Sequence, residues 1–234
     1  NTLVMVGMLD GTGLEQIITF DHTEHPPTLN GRDIVQGRLD HARLLVAHNA
    51  AHDLMWLWES GFTYTGEVFD TMLGEYILQR GQKEPLSLEA CAERHQLHTK
   101  KQDTLKEYFK QGLNVSEIPH DELSEYLSAD LHATQQLFRH QDKEYTFGKG
   151  KTLVDTIRLT NQLAVHLARI YQRGFKVDLT VLEEVRKEFE QEKQELTVKL
   201  EEQVHELMGD RPINLNSPEQ LSWIIYSRKV FDKK

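Results

Sequence analysis

Cysteine is almost absent from this sequence: Cys91 stands alone, which excludes an intramolecular disulfide framework and fits a reducing compartment. Long apolar runs are also missing. None approaches the ~20 residues that a membrane-spanning helix needs, so a helical span is excluded. There is no internal repeat and no low-complexity tract. An excess of positive charge is lacking too, and the net charge of -10 argues, on average, against a generic basic nucleic-acid binder. The opening residue is Asn1 rather than Met, directly before a strand-like run. Val230-Phe231-Asp232-Lys233-Lys234 closes the chain shortly after a new helix start. The chain is therefore expected to be a piece of a longer protein, and a signal peptide can be neither seen nor excluded.

What is present describes a globular chain of one or two domains: 234 residues, 38% hydrophobic and 27% charged. The charge is unevenly placed. Residues 1–140 hold 11 Lys/Arg against 21 Asp/Glu, whereas residues 141–234 hold 16 of each, so all the excess acid lies in the first part.

The first half alternates strand and helix signals. Leu3 to Met8 predicts a strand, Asp10-Gly11-Thr12-Gly13 a hairpin turn, and Gln16 to Phe20 its partner. Helical spacing covers residues 33–43. Leu44-Leu45-Val46-Ala47 is wholly apolar, as in a strand buried on both faces. A helix over about 51–60, a strand at Val68-Phe69-Asp70, and helices over Thr71 to Gln79 and near 87–95, 103–110 and 120–140 follow. This order predicts an α/β domain with one mixed sheet and flanking helices.

The second half is helical. Residues 152–173 end at Gly174, and Asp178 caps a long helix. Its stripe, Leu182, Val185, Phe189, Leu196, Leu200, Val204 and Leu207, steps by threes and fours. Two such helices joined by a tight turn predict an antiparallel hairpin. Ser217-Pro218-Glu219-Gln220 then carries an N-cap, a proline at N1 and a capping-box Gln.

Two constellations could carry chemistry. Asn49 and Asp53 lie four residues apart where a strand passes into a helix, a place from which a carboxylate can point into the crevice of an α/β fold. Tyr126 and Asp130, also four apart, stack on one helix face. Carboxylates without Lys or Arg nearby in sequence suit hard divalent cations. Two such ions about 3.5–4 Å apart can activate water at a phosphodiester. Taken singly, each pair is equally an N-cap or a solvated helix face. His48 and His52 share a four-residue step, but no His-Glu-x-x-His context supports zinc. Asp70 and Glu75 read as capping and surface solvation. Trp56 or Leu57 reads as core, Cys91 as buried, and the Glu/Lys-rich stretch 183–206 as a solvated face whose lysines could reach phosphates.

Leu45 to Asp53, with Phe69 to Leu78, closely resembles the second exonuclease motif of proofreading domains in family-A DNA polymerases. Tyr126-Leu127-Ser128-Ala129-Asp130 resembles their third motif, of the tyrosine-containing DEDD type. Arg173 to Asp178, the long helix, and Ile213-Asn214-Leu215-Asn216-Ser217-Pro218-Glu219-Gln220-Leu221 are similar to the start of the polymerase thumb. The resemblance covers nearly the whole chain, in the family's order. It implies a ribonuclease-H-like exonuclease domain over 1–147, with its N-terminal strand missing, and truncated thumb helices over 148–234.

The resemblance also implies roles. Asp53 and Asp130 would be metal ligands of a two-ion Mg²⁺ or Mn²⁺ site, with Asp130 a direct ligand of the first ion and Asp53 helping to bind the second. Tyr126 would aim the attacking water, and Asn49 would orient the site and the terminal residue. His52 would contact the terminal nucleotide. Asn214, Asn216 and Ser217 would touch the primer–template backbone, where neutral side chains fix register without reading bases. Implied partners are a single-stranded DNA 3′ end, duplex DNA at the thumb and, for the parent enzyme, deoxynucleotides. No membrane is implied, and the setting would be the cytoplasm of a bacterium or of a phage-infected host. One departure matters: the family's Asp-x-Glu motif lies on a strand before Leu3, and Asp10 and Asp21 do not replace it. The 234 residues alone are thus expected to lack full exonuclease activity. Rival functions are a ribonuclease-D-like or Werner-type exonuclease, which would not continue into Asn214 to Leu221, and a non-catalytic DNA-binding scaffold, against which Asp53, Tyr126 and Asp130 argue.

Overall fold

A computed structural model describes residues 2–97, 103–210 and 213–226; the closing Val230 to Lys234 lies outside the described residues. Met5–Leu9 (β1) and Glu15–Thr19 (β2) form an antiparallel hairpin, with Met5 opposite Thr19 and Leu9 opposite Glu15. Asp10 makes the turn. Its Oδ1 accepts from the Thr12 and Leu14 amides at 2.9 and 3.0 Å, so the side chain supplies the acceptor that a tight turn otherwise lacks. Gly31–His41 (α1) buries Val35 and Leu39 with Ile18, Phe62 and Tyr64. Leu44–Ala47 (β3) and Glu67–Asp70 (β4) then pair in parallel, Ala47 beside Asp70, with Ala50–Glu59 (α2) in the connection that a parallel pair requires.

Thr71–Leu78 (α3), Leu88–Arg94 (α4), Asp103–Lys110 (α5), the long His120–Thr146 (α6) and Val154–Arg173 (α7) follow. α6 packs against β1, β2 and β3, so a single helix spans both pairs of strands. The chain divides into two compact units, residues 1–174 and 175–234. Helix α7, expected as the first arm of a hairpin, packs on α2, α3 and β4 within the first unit. Ile157, Asn161 and Ala168 are its buried face, and Leu159, Leu163 and Ile170 are exposed.

The expected single mixed sheet is two two-stranded sheets, one antiparallel and one parallel, with no ladder between them among the described residues. β3 was expected to be buried on both faces. Leu44 instead is exposed and the rest of the strand half-buried, because β3 pairs with β4 alone.

In the second unit Leu179–Met208 (α8) starts at Asp178, whose carboxylate accepts from the Thr180 and Val181 amides, as the capping expectation required. Pro218–Ile225 (α9) begins at Ser217. The α8 stripe is not a buried seam: Leu182, Val185, Phe189, Leu196, Leu200 and Leu207 are all exposed. Arg186 holds Glu183 and Glu190 at 2.7 and 2.8 Å along the same helix, the solvated charge ladder read for this stretch. No helix among the described residues is long and apolar enough to cross a membrane.

Candidate active site

The site is built where β3 gives way to α2. Asn49 occupies the N-cap position with φ 65° and ψ 51°, a left-handed conformation that asparagine tolerates better than most residues, and its own side chain makes no capping bond. The amides at this helix start therefore need another acceptor. Asp70, at the end of the neighbouring strand, provides it: Oδ1 accepts from Asn49 N at 3.0 Å and Oδ2 from Ala50 N at 2.9 Å. The same carboxylate accepts from Met72 N at 2.9 Å and Leu73 N at 3.4 Å, capping α3 as well. Asp53 lies one turn into α2 and is exposed, as is His52, which meets Trp56 edge-on at 6.4 Å.

The second pair rides on α6. Asp130 and Tyr126 are half-buried and hydrogen-bonded to each other. Their helix is held to the hairpin on one side. Ser128 Oγ and His132 Nε2 lie 3.0 and 2.9 Å from Glu15 Oε2, and Gln135 Nε2 donates to the Asp10 carbonyl at 3.2 Å. Gly7 of β1 permits a close approach, since a Cβ there would stand 2.7 Å from Leu127 Cγ.

The two pairs meet electrostatically. The protein crowding the Asp53 carboxyl, then the negative charges of Asp70 and Asp130, push it up to about 7 although its surface is open to solvent. Burial also raises Asp130, partly offset by the hydrogen bond from Tyr126. Burial and the Asp130 charge push the Tyr126 phenol up to about 12, so it stays protonated and able to donate at neutral pH. Among the described residues no lysine or arginine shifts either carboxyl. Two converging acids without a counter-charge fit a divalent cation in donor chemistry. They do so only in part, because no group of three His, Cys, Asp or Glu among the described residues is arranged to hold an ion.

Other residues fall differently. Asp70 caps, as expected, but is 1% exposed and serves two helices rather than solvating a surface. Glu75 was read as surface solvation and is instead 2% exposed, because α3 turns it toward Arg94 Nη1 at 2.8 Å, His95 Nε2 at 3.0 Å and Gln141 Nε2 at 3.2 Å. His48 is committed to Thr71 Oγ1 and the Leu86 carbonyl, at 2.9 and 2.8 Å, and burial lowers its pKa, so it does not join His52. Cys91 is fully buried, as expected, and burial pushes its thiol up to about 11. Leu57 and Trp58 pack on the core, while Trp56 is half-buried.

In the second unit Asn214 and Asn216 are exposed and Ser217 half-buried. Asn214 Oδ1 accepts from Asn216 N at 3.0 Å, and Ser217 Oγ accepts from Gln220 N at 3.4 Å. Gln220 reaches back past the capping-box position to take the Asn214 amide at 2.7 Å. Sequence reasoning missed Glu89, whose charge reaches Tyr126, and Asn161, a polar residue on the buried stripe of α7. The signal for Asn161 was present: it stands between Ile157 and Ala168 at helical spacing.

The class of protein that this structure defines is an α/β unit in which an acidic side chain on the helix following a parallel strand feels the charge of a second on a long packed helix. Residues 13–145 match the family of 3′-5′ exonuclease domains of DNA polymerase A, and the chain belongs to that family. It is similar to DNA polymerase I of Bacillus subtilis (28% identical over 171 residues, 73% of this chain and 18% of the relative) and of Synechocystis (27% over 190 residues, 81% and 18%). DNA polymerase I of Helicobacter pylori is 31% identical over 139 residues, 54% of this chain and 14% of the relative. The chain thus spans less than a fifth of the length of these curated relatives.

Proposed function

We propose that this chain is the proofreading part of a family-A DNA polymerase, removing the terminal nucleotide from a single-stranded DNA 3′ end with Mg²⁺ or Mn²⁺. The observation that carries this is the convergence of Asp53 from α2 and Asp130 from α6, each raised in pKa, beside a protonated Tyr126. Asp53 and Asp130 would hold the ions, which supply a low-pKa water and charge stabilisation at the phosphodiester. With Asp130 engaged on an ion, Tyr126 would be free to turn its single hydroxyl proton from that carboxylate toward the attacking water, and Asn49, on its left-handed turn, orients the terminal residue with His52 beside it.

The ribonuclease-H-like arrangement finds support in the strand pairs. β1 pairs only with β2 and β3 only with β4 among the described residues, while α6 packs across both, so a further strand could join the pairs into one mixed sheet. Such a strand carrying Asp-x-Glu would add the bridging carboxylate. Asp70 cannot serve, since its two oxygens are occupied by four backbone amides. Residues 1–147 are the exonuclease-like domain in this proposal. Residues 148–234 begin the thumb, with Asn214, Asn216 and Ser217 toward the primer–template backbone. The parent enzyme would use deoxynucleotides in bacterial or phage-infected cytoplasm.

The test is Mn²⁺ titration of the 234-residue chain, paired with trimming of a 5′-labelled single-stranded oligonucleotide. Binding is expected, weakened at least tenfold by Asp53→Asn or Asp130→Asn, with little or no trimming until a strand bearing Asp-x-Glu is joined upstream. Binding indifferent to both substitutions, or robust trimming by the chain alone that survives them, overturns the proposal.

A further inference from the structure

Asp53 points where the first turn of α2 sends it, and that turn is not capped from within. Asn49 leaves its own side chain out of the cap, and the amides of Asn49 and Ala50 depend on the Asp70 carboxylate. Asp70 is in turn fixed from two directions. Its carboxylate is bound into the start of α3 through Met72 N, and its own amide donates at 3.2 Å to Asn161 Oδ1 on α7. Asn161 is 5% exposed on the face by which α7 packs against β4. An unbroken set of short polar contacts thus runs from α7 through Asp70 to the helix start that aims Asp53. Breaking the contact at Ala50 N or at Asp70 N leaves a buried polar group unpaired.

Resting on the functional proposal above, we infer that Asp70 is a positioning residue for the Asp53 metal ligand, and that Asn161 holds Asp70 in place. Helix α7 thereby takes part in setting the geometry of the exonuclease site. With both oxygens taken by backbone amides, Asp70 is assigned no contact with the ion or the DNA. Besides the direct effect of its charge on the Asp53 carboxyl, it acts by fixing the Asn49–Ala50 amides, and the uncharged Asn161 acts by fixing Asp70.

The test uses the full 234-residue chain and four variants: Asp70→Asn, Asn161→Leu, the two combined, and Val35→Ala, a core truncation beneath the β1–β2 hairpin that serves as the control. Mn²⁺ affinity, thermal midpoint and amide exchange at residues 49–53 are measured on each. Asp70→Asn and Asn161→Leu are expected to weaken Mn²⁺ binding about threefold to tenfold and to speed exchange at Asn49 and Ala50 at least tenfold. The double variant should lose less than the product of the single losses, as two residues on one linkage do. Val35→Ala should lower the thermal midpoint while leaving both readouts in place. Unchanged exchange at Asn49 and Ala50 in both variants, or changes no larger than those of Val35→Ala, overturns the inference. If wild-type Mn²⁺ binding is absent or indifferent to Asp53→Asn, the functional proposal fails by itself, and the exchange data still decide whether Asn161 and Asp70 fix this helix start.

Discussion

Asp130 on α6 stands close enough to Asp53 on α2 for its charge to raise the proton affinity of the Asp53 carboxyl. That effect comes after the crowding of the carboxyl by protein and the charge of Asp70, and together they push it up to about 7. A cation must displace that proton. Mn²⁺ affinity is therefore expected to rise with pH by up to about tenfold per unit below about 7 and to level off above it. Asp130→Asn should move the midpoint down. The stability sign is opposite: a carboxyl raised from 3.8 binds its proton more tightly when folded, so its contribution is present at low pH and lost as pH rises from 3.8 to about 7. Titrations across the window check both signs, and a flat affinity profile through pH 7 contradicts the coupling.

Glu75 makes the contrasting case. Burial pushes its carboxyl up, but hydrogen bonds from His95 and Arg94 outweigh that and hold it below the usual range. Its contribution to stability is thus present above the ordinary carboxyl pKa and lost as pH falls through the lowered folded value. Glu75→Ala removes the acceptor shared by Arg94, His95 and Gln141, and should cost about 2–3 kcal/mol, as for hydrogen bonds to charged groups. Urea denaturation at neutral pH measures it. A change under about 0.5 kcal/mol, the size of an ordinary surface substitution, would mean that this cluster holds nothing together.

The two candidate pairs were legible as neighbours because their geometry is local. Asn49 to Asp53 and Tyr126 to Asp130 are four-residue steps, and a helix turns such steps into neighbours whatever surrounds it. The burial of Glu75 and Asp70 was not legible because most of their partners are distant in sequence, although the cap that Asp70 makes on α3 was. Asp70 meets Asn49 only through the β3–β4 register, and Glu75 meets Arg94 only because α3 is enclosed by other helices. The same limit applies to α8. A three-and-four step marks an apolar stripe but carries no information about what covers it, and within its own unit the stripe is exposed. The hairpin was readable from Asp10 and its glycines. The split of the sheet was not, since strand signals do not say which edges pair.

Gly7 controls how close α6 comes to β1. A Cβ at this position would stand 2.7 Å from Leu127 Cγ and 2.9 Å from Leu131 Cδ1, both on the helix that carries Tyr126 and Asp130. Gly7→Ala is expected to destabilise by about 1–3 kcal/mol, the range for overpacking. It should also displace α6 enough to weaken Mn²⁺ binding, whereas Gly11→Ala, with nothing within 4 Å, should do neither through packing. Thermal melting with and without Mn²⁺ compares the two, and equal behaviour would rule out a role for this close approach.

Asn49 combines a backbone demand with a side-chain role, and the two can be separated. Its φ of 65° costs a β-branched residue far more than it costs glycine. Asn49→Val should therefore lower stability by about 1–2 kcal/mol, the scale of left-handed strain, and disturb the start of α2. Asn49→Gly keeps the turn, so Mn²⁺ binding through Asp53 should stay within about twofold of wild type and stability within about 0.5 kcal/mol. If the exposed Asn49 side chain orients a terminal nucleotide, Asn49→Gly will still lose affinity for a single-stranded 3′ end. Fluorescence anisotropy with a short labelled oligonucleotide reads that loss, and an unaltered DNA affinity alongside unaltered metal binding would leave Asn49 with its backbone duty alone.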